Sequence, residues 1–227
     1  SAISAEAVRI HPVFVGHYSP SFAFAQAGRV PLWALFLAAQ FVDILWSLLV
    51  LLGIERVRLI PGYTAASPLA LDYMPYSHSL TATLAWALLL GALASVVWGR
   101  RGGVAVGACV LAHWVLDLLV HVPDLPLVGD RYKVGFGLWN YPAGSFVLEA
   151  AVLLGAVALY VRGSRHPLPF YIFAVLMLIM QASSFVAPLP ETPSAFAVMA
   201  LVNYAFLAAI AGVLERKWPP RSRALES

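Results

Sequence analysis

Residues 112–121 have the sequence Ala-His-Trp-Val-Leu-Asp-Leu-Leu-Val-His and lie inside an apolar run over residues 103–122. A helix needs about 20 such residues to cross a bilayer. On a helix, His113 and Asp117 are one turn apart on nearly the same face, whereas His121 has turned about 80° away from His113. An aspartate at the centre of a membrane helix costs about 2.5–3.5 kcal/mol, so it is retained where a partner, a metal or water offsets that cost. The stretch therefore predicts a membrane span and a functional site on it.

The composition of the whole chain also indicates a membrane protein. Hydrophobic residues make up 61% of the 227 residues and charged residues 11%, whereas about a quarter of a soluble domain is charged. The basic residues lie singly or in pairs at the ends of apolar runs, which indicates membrane topology and not nucleic-acid binding. One cysteine, Cys109, excludes an internal disulfide and a cysteine-based metal cage. We expect one integral membrane domain over residues 1–227, with polar tails at 1–12 and 215–227 and the lipid bilayer as partner.

The apolar segments predict an all-α, polytopic helical bundle of six spans. The spans cover residues 31–53, 77–98, 103–122, 142–160, 169–186 and 194–214. A further segment, 13–27, is broken by Gly16, His17 and Pro20 and is short for a span, so we expect a half-span there, or a seventh span if it crosses fully. With six spans, ten of the fourteen Lys and Arg residues lie on the side of the C-terminus. The positive-inside rule then places the C-terminus in the cytoplasm.

The ionisable residues of the spans converge on one depth range. They lie in the middle of the first span, at the outer start of the second, in the outer half of the third and two turns inside the outer end of the fourth. A hairpin of the N-terminal segment with the first span would bring one more histidine to that depth. These residues are His17, Asp43, His78, His113, Asp117 and Glu149. We therefore predict one polar pocket in the outer half of the membrane, open to the non-cytoplasmic side.

The residue types in this pocket predict a metal centre. Imidazole nitrogens and carboxylate oxygens are ligands of zinc, or of Mn²⁺ or Fe²⁺ where carboxylates dominate. The predicted ligands are His17, His78, His113 and Asp117. Asp43 and Glu149 are the predicted catalytic carboxylates, because a spare carboxylate serves as a general base or orients a histidine. Ser77 has a plain explanation as a helix N-cap.

The order of the motifs resembles a family of bacterial inner-membrane proteins known as membrane-bound metal-dependent hydrolases. The matching motifs are Gly16-His17, Asp43, Ser77-His78-Ser79-Leu80 and His113-Trp114-Val115-Leu116-Asp117, in about half of the chain. The resemblance implies a metal-dependent hydrolase in a bacterial inner membrane. The family usually has an aspartate and a histidine at Leu45 and Trp46 and a histidine at Tyr73, and these departures favour one metal over two.

Several alternatives remain open at this stage. A weaker similarity, to membrane hydrolases of the alkaline ceramidase type, rests on His113, Asp117 and His121. The favoured function is hydrolysis of a lipid or lipid-linked substrate that enters from the outer leaflet. A proton- or ion-coupled carrier, or a non-enzymatic assembly protein, would use the same residues as a buried polar network. For His121, Asp72 and Asp124, which are predicted to lie where water reaches, the plain interpretation as solvated residues is favoured.

Overall fold

The computed structural model describes residues 15–26, 29–184, 188 and 190–219. Within these residues, a 3₁₀ turn leads into seven α-helices and one two-stranded antiparallel sheet. The turn is Val15–Tyr18, and the helices are α1 (Ser19–Phe24), α2 (Leu32–Ala39), α3 (Phe41–Leu51), α4 (Leu80–Val120), α5 (Pro142–Tyr160), α6 (Leu168–Ser184) and α7 (Pro193–Lys217). The strands are β1 (Arg56–Leu59) and β2 (Leu69–Tyr73). The predominance of helix is confirmed, and the small sheet was not predicted because it forms within a polar loop.

Three of these helices, α4, α5 and α7, are long and apolar enough to be candidate membrane spans. Helices α2 and α3 would make a fourth only as one broken span, because their axes are bent by 56°. Helix α6 has 17 residues, which is at the short end for a span. A membrane bundle therefore agrees with the structure, but the predicted six or seven spans are not supported.

Helix α4 folds back on itself at Gly99, whose backbone has φ 70° and ψ 173°. Gly91 and Gly103 are 12 residues apart and would be about 18 Å apart in a straight helix. Instead, a Cβ on Gly103 would collide with the carbonyl oxygen of Gly91, and a Cβ on Gly107 would lie 2.9 Å from that of Ala87. The two arms of α4 are therefore antiparallel and in backbone contact. The two arms correspond to the predicted spans 77–98 and 103–122.

The N-terminal segment is inserted into the bundle as a buried turn and a short helix. Val15, His17 and Phe22 are each at most 3% exposed. Helix α1 has 6 residues, about 9 Å at the usual rise, so the described part of the segment enters the bundle without a helix of spanning length. The predicted tail 1–12, the outer part of the second tail (220–227) and residues 13, 14 and 27 lie outside the described residues.

The end of α7 differs from the expected start of a solvated tail. The helix continues to Lys217, and Glu215 is only 6% exposed. Its carboxylate accepts hydrogen bonds from the backbone N–H of Leu32, at 2.7 Å, and from the hydroxyl of Tyr160, at 3.2 Å. A carboxylate at the first residue of α2 satisfies one of the unpaired N–H groups of that helix end. Glu215 therefore connects α7 to the start of α2 and to the end of α5.

The break between α2 and α3 brings two groups toward the second arm of α4. The break lies at Gln40, whose backbone (φ −102°, ψ 8°) ends α2 and precedes α3. Asp43 lies in the first turn of α3, and the carbonyl of Ala39 ends α2. The carbonyl of Ala39 contacts His113 on α4. The bend therefore places a carboxylate and a backbone acceptor on the same side of the bundle.

Candidate metal centre

Four histidines and two aspartates meet in one cluster, which we call the His/Asp cluster. Its members are His17, Asp43, His78, His113, Asp117 and His121, and they come from the 3₁₀ turn, α3, the start of α4 and the end of its second arm. All four histidine side chains and that of Asp117 are at most 4% exposed, whereas that of Asp43 is 22% exposed. The cluster is therefore closed on most sides and is most exposed at Asp43.

Asp117 is the centre of the cluster, because each of its carboxylate oxygens faces two histidines. Its Oδ1 lies 2.9 Å from Nε2 of His17 and 3.6 Å from Nε2 of His121. Its Oδ2 lies 3.3 Å from Nε2 of His113 and 3.8 Å from Nε2 of His78. The predicted pairing of His113 with Asp117 on one helix face is therefore present in the structure.

Asp43 contributes the second carboxylate. Its Oδ1 lies 3.2 Å from Nε2 of His78 and 3.6 Å from Nε2 of His113. Its Oδ2 accepts a hydrogen bond of 2.9 Å from the hydroxyl of Tyr204 on α7. Ligand atoms lie within 4.8 Å of one another in two overlapping groups, His17 with His113 and Asp117, and Asp43 with His78 and His113. Both groups have the ligand types and the size of a metal site.

The outer ring nitrogens of two histidines are held by groups that only accept hydrogen bonds. Nδ1 of His113 lies 2.7 Å from the carbonyl oxygen of Ala39, and Nδ1 of His121 lies 2.9 Å from Oδ1 of Asp124. In each case the hydrogen is on Nδ1, so a neutral ring would present the lone pair of Nε2 to the cluster. A ligand histidine of a metal site typically makes this outer hydrogen bond.

His78 is held in the same manner through a serine and a buried glutamate. Its Nδ1 lies 2.8 Å from Oγ of Ser77, and that hydroxyl also bonds to the carboxylate of Glu55. The same carboxylate accepts the backbone N–H groups of Tyr76, at 2.8 Å, and Ser77, at 3.0 Å. Because the carboxylate takes the hydroxyl hydrogen, Oγ accepts from Nδ1–H of His78, and a neutral His78 would again present the lone pair of Nε2 to the cluster. The N-cap of α4 is Ser79, which accepts from the N–H of Ala82 at 3.1 Å, so the capping role expected for Ser77 is wrong.

The inner atoms of the cluster lack the hydrogen-bond partners that buried polar atoms normally have. Nε2 of His113 and Oδ2 of Asp117 are both buried, and neither makes a hydrogen bond within the part of the chain that the structure describes. A lone pair of Nε2 that faces a carboxylate oxygen is unfavourable unless a proton or a metal cation lies between them. A divalent metal ion held by these nitrogens and oxygens would satisfy both atoms, so the donor set fits one.

Glu149 is the predicted site residue that the structure does not bring into the cluster. Its carboxylate accepts from the backbone N–H of Gly16, at 3.3 Å, from Nε2 of Gln181, at 3.0 Å, and from Oγ of Ser145, at 3.2 Å. Gly16 directly precedes His17, and a Cβ on Gly16 would lie 2.9 Å from Cγ of Glu149. Glu149 therefore stands behind the 3₁₀ turn and binds the backbone of the residue before His17, and its predicted catalytic role stays a prediction.

The interpretation of His121 and Asp124 as water-accessible residues is wrong. They are 3% and 6% exposed, because the loop after α4 folds back over the end of that helix. The N–H of Gly137 donates to the carbonyl of His121 at 2.6 Å, and the ring of Trp139 lies 4.2 Å from the imidazole of His121, centroid to centroid. His121 therefore belongs to the cluster, with Asp124 as its outer partner. Asp72, in contrast, is partly exposed, as predicted for a solvated residue.

Three residues of the site had no recognised signal in the sequence. Glu55 lies in a polar loop, and its role depends on a fold that brings the loop beside Ser77. Tyr204 and Gln181 lie on helices without Asp, Glu, Lys, Arg or His in their apolar parts, so neither helix was predicted to contribute to the site. A polar residue inside an apolar helix is the signal that would have found the last two.

Comparison of the chain with protein-family models, with curated proteins and with solved structures finds no match. The resemblance to membrane-bound metal-dependent hydrolases therefore stays a prediction from the motifs. The geometry of the His/Asp cluster stands independently of that resemblance.

Proposed function

We propose that this chain is a membrane-embedded hydrolase whose His/Asp cluster binds a divalent metal ion, zinc in the first place, with manganese or iron as the alternatives. The observation that carries the proposal is the orientation of the histidines. Three of them, His78, His113 and His121, have Nδ1 fixed by an outer partner and direct Nε2 toward Asp43 or Asp117. Outer hydrogen bonds of this kind fix the tautomer of a metal-ligating histidine.

The cluster has separate residues for binding and for proton transfer. A bound metal would lower the pKa of a water molecule and polarise the carbonyl or phosphoryl oxygen of a substrate. Asp43 is the most exposed member of the cluster, so its carboxylate would take a proton from the attacking water and return it to the leaving oxygen. The hydroxyl of Tyr204, 2.9 Å from Oδ2 of Asp43, holds that carboxylate in position. Asp117 is enclosed and serves as a ligand.

The location of the enzyme is part of the proposal. We place the chain in a bacterial inner membrane, with the C-terminus in the cytoplasm and the cluster in the half of the membrane away from it. The distribution of basic residues and the motif resemblance support this arrangement. Helices α4, α5 and α7, which carry or support the cluster, are the candidate spans.

Elemental analysis of the purified protein tests the metal centre without a known substrate. We expect about one equivalent of zinc, manganese or iron in the wild type and its loss in His113→Ala. The matched control is His166→Ala, because His166 is an exposed loop histidine away from the cluster. Metal-free wild-type protein after gentle purification with added zinc would overturn the proposal. It would leave the same residues as a proton relay or a structural polar network.

A turnover assay tests the hydrolase step. We expect the metal-loaded protein to cleave at least one of a set of fluorogenic carboxylic esters, phosphomonoesters and phosphodiesters. A chelator should abolish the activity and zinc restore it. Asp43→Asn should lower kcat by about 10²–10⁴-fold, the range for loss of a general base, without loss of the metal. A metal-loaded protein that cleaves none of these bonds would overturn the enzymatic part of the proposal.

A further inference from the structure

An apolar groove runs along the outside of the bundle between α1, the second arm of α4 and α5. It has a volume of about 620 Å³, within the range of about 300–1,000 Å³ for small-molecule sites. Val115 and Leu159 on its walls are 50% and 52% exposed, so the groove opens outward. Ser19 alone among the lining residues has a polar side chain, and its hydroxyl donates to the carbonyl of Gly16 at 2.6 Å. The groove therefore offers a ligand only apolar contacts.

Small residues create the groove. Ala108 and Ala112 on α4 face Ala151 and Gly155 on α5, each pair one helical turn apart. A Cβ on Gly155 would meet nothing within 4 Å, so the space beside it is empty of protein. Since α4 and α5 are candidate membrane spans, hydrocarbon chains of the bilayer surround this face. The groove has the shape and polarity for one such chain.

One end of the groove adjoins the His/Asp cluster. A narrow crevice shares Leu116 and Val152 with the groove and is also lined by His17 and Glu149. Its volume is about 10 Å³, the space of about one water molecule. Leu116 is next to Asp117 in sequence. The side chains of Leu116 and Val152 therefore separate the groove from the crevice beside His17.

We propose that the substrate is a membrane lipid ester whose hydrocarbon chain lies in this groove and whose ester group reaches the cluster past Leu116 and Val152. This inference rests on the proposed hydrolase function and specifies the substrate class of the same site. In the reaction, the oxygen of water bonds to the ester carbonyl carbon and the bond to the leaving oxygen breaks. Asp43 takes the proton of the water and delivers it to the leaving oxygen. The products are a carboxylic acid and an alcohol.

A chain-length comparison tests the groove separately from the metal centre. The probes are a butyrate and a palmitate ester of the same fluorescent alcohol, assayed with the metal-loaded full chain in nanodiscs. The variant Gly155→Leu fills the groove, and it does so without a clash at Cβ and with a better helix former. The control Ala92→Leu adds a leucine to an exposed position on the first arm of α4, away from the groove.

The expected result is selective. Gly155→Leu should lower kcat/KM for the palmitate ester by about tenfold or more, the effect of a blocked apolar subsite, and should change it for the butyrate ester less than about twofold. Ala92→Leu should change neither. Equal effects of Gly155→Leu on the two esters, or none on palmitate, overturn the inference while butyrate turnover keeps the hydrolase proposal intact. Wild-type protein that holds no metal and cleaves neither ester would overturn the hydrolase proposal and this inference together.

Photochemical labelling gives a readout that does not depend on turnover. A phosphatidylcholine with a diazirine at the end of one acyl chain, in the same nanodiscs, should label the groove-lining part of α5 in the wild type and in Ala92→Leu. The labelling there should fall several-fold in Gly155→Leu. Unchanged labelling in Gly155→Leu overturns the inference. Cross-links between two protein chains at the groove, in place of lipid labelling, identify a protein occupant and also overturn it.

Discussion

Replacement of Ser77 by alanine should weaken metal binding although Ser77 is not a predicted ligand. In the structure, its Oγ lies 2.8 Å from Nδ1 of His78 and bonds to the carboxylate of Glu55 on the other side. Ser77→Ala removes the acceptor of the Nδ1–H of His78 and leaves that N–H buried. The ring can then place its hydrogen on Nε2, which faces Asp43 at 3.2 Å. A histidine with hydrogen on Nε2 cannot use that atom as a ligand.

The loss of metal affinity and of stability in Ser77→Ala can be judged from the two hydrogen bonds of the Ser77 hydroxyl, one with His78 and one with Glu55. Loss of an outer hydrogen-bond partner typically costs about 10–100-fold in metal affinity, which corresponds to about 1.4–2.8 kcal/mol. Glu55 retains two donors, the backbone N–H groups of Tyr76 and Ser77. The loss of the serine hydroxyl from a buried carboxylate should still lower the stability of the metal-free protein by about 1.5–3 kcal/mol. Ser77→Thr keeps the hydroxyl and should restore most of the affinity.

The assay is zinc affinity by competition with a chromophoric chelator, beside the thermal unfolding of the metal-free protein. Ser183→Ala is the matched control, because the hydroxyl of Ser183 is exposed and bonds only to the carbonyl of Met180 among the contacts in the structure. The zinc affinity should follow the order wild type, Ser77→Thr, Ser77→Ala, with Ser183→Ala equal to wild type. An unchanged affinity in Ser77→Ala would refute the assignment of the hydrogen to Nδ1 of His78.

Three further predictions follow from contacts outside the cluster. Gly16→Ala should destabilise the protein by about 1–3 kcal/mol and weaken metal binding, because the new Cβ would lie 2.9 Å from Cγ of Glu149 and displace the turn. Thermal unfolding and metal titration measure the two effects. Unchanged values would contradict the close packing of Gly16 against Glu149. Gly103→Ala should unfold or loosen the hairpin of α4, visible as a lower melting temperature and loss of helical circular dichroism at a lower temperature, whereas Gly155→Ala should not, because its Cβ meets no atom within 4 Å. The Arg58 guanidinium holds the pKa of Asp72 below its usual value. The ionised carboxylate of Asp72 therefore adds to the stability of the folded protein near neutral pH. This added stability is lost as the pH falls through the folded pKa of Asp72. Asp72→Asn should therefore flatten the acid side of the stability curve slightly, and an unchanged profile would show that this exposed pair contributes nothing.

The sequence predicted the parts of the site that depend on local spacing. His113 and Asp117 share a face because four residues make about one helical turn. Residues 99–102 separate two predicted spans, and the structure has the fold of α4 at Gly99. His17, Asp43 and His78 were expected at one depth from counting along the apolar segments, and they meet in the cluster. These predictions needed only the helical period and the length of the apolar runs.

The remaining features of the fold and the site depend on tertiary contacts, which the helical period of the sequence does not predict. The bend between α2 and α3 lies at Gln40, where neither Gly nor Pro marks a break. The helical period places His121 on a different face of the helix from His113. In the structure, Asp117 still contacts both, with Oδ2 near His113 and Oδ1 near His121. Asp124 is buried because the loop that follows it covers the end of the helix. Such coverage is a property of the loop fold, which leaves no periodic signal in the sequence.

The charges of the cluster explain why its members would be kept together in an apolar bundle. Asp43 and Asp117 bring two negative charges, and histidines in the neutral form that binds a metal, with Nδ1 bonded outward, would bring none. Two like charges in a low-dielectric interior repel strongly unless they are compensated. One divalent cation compensates both, whereas Glu55 and Glu149 each receive three hydrogen bonds of their own. Hydrogen bonds satisfy Glu55 and Glu149, whereas Asp43 and Asp117 face Nε2 atoms. This difference separates the supporting carboxylates from the two carboxylates at the metal site, and it favours a single metal ion there.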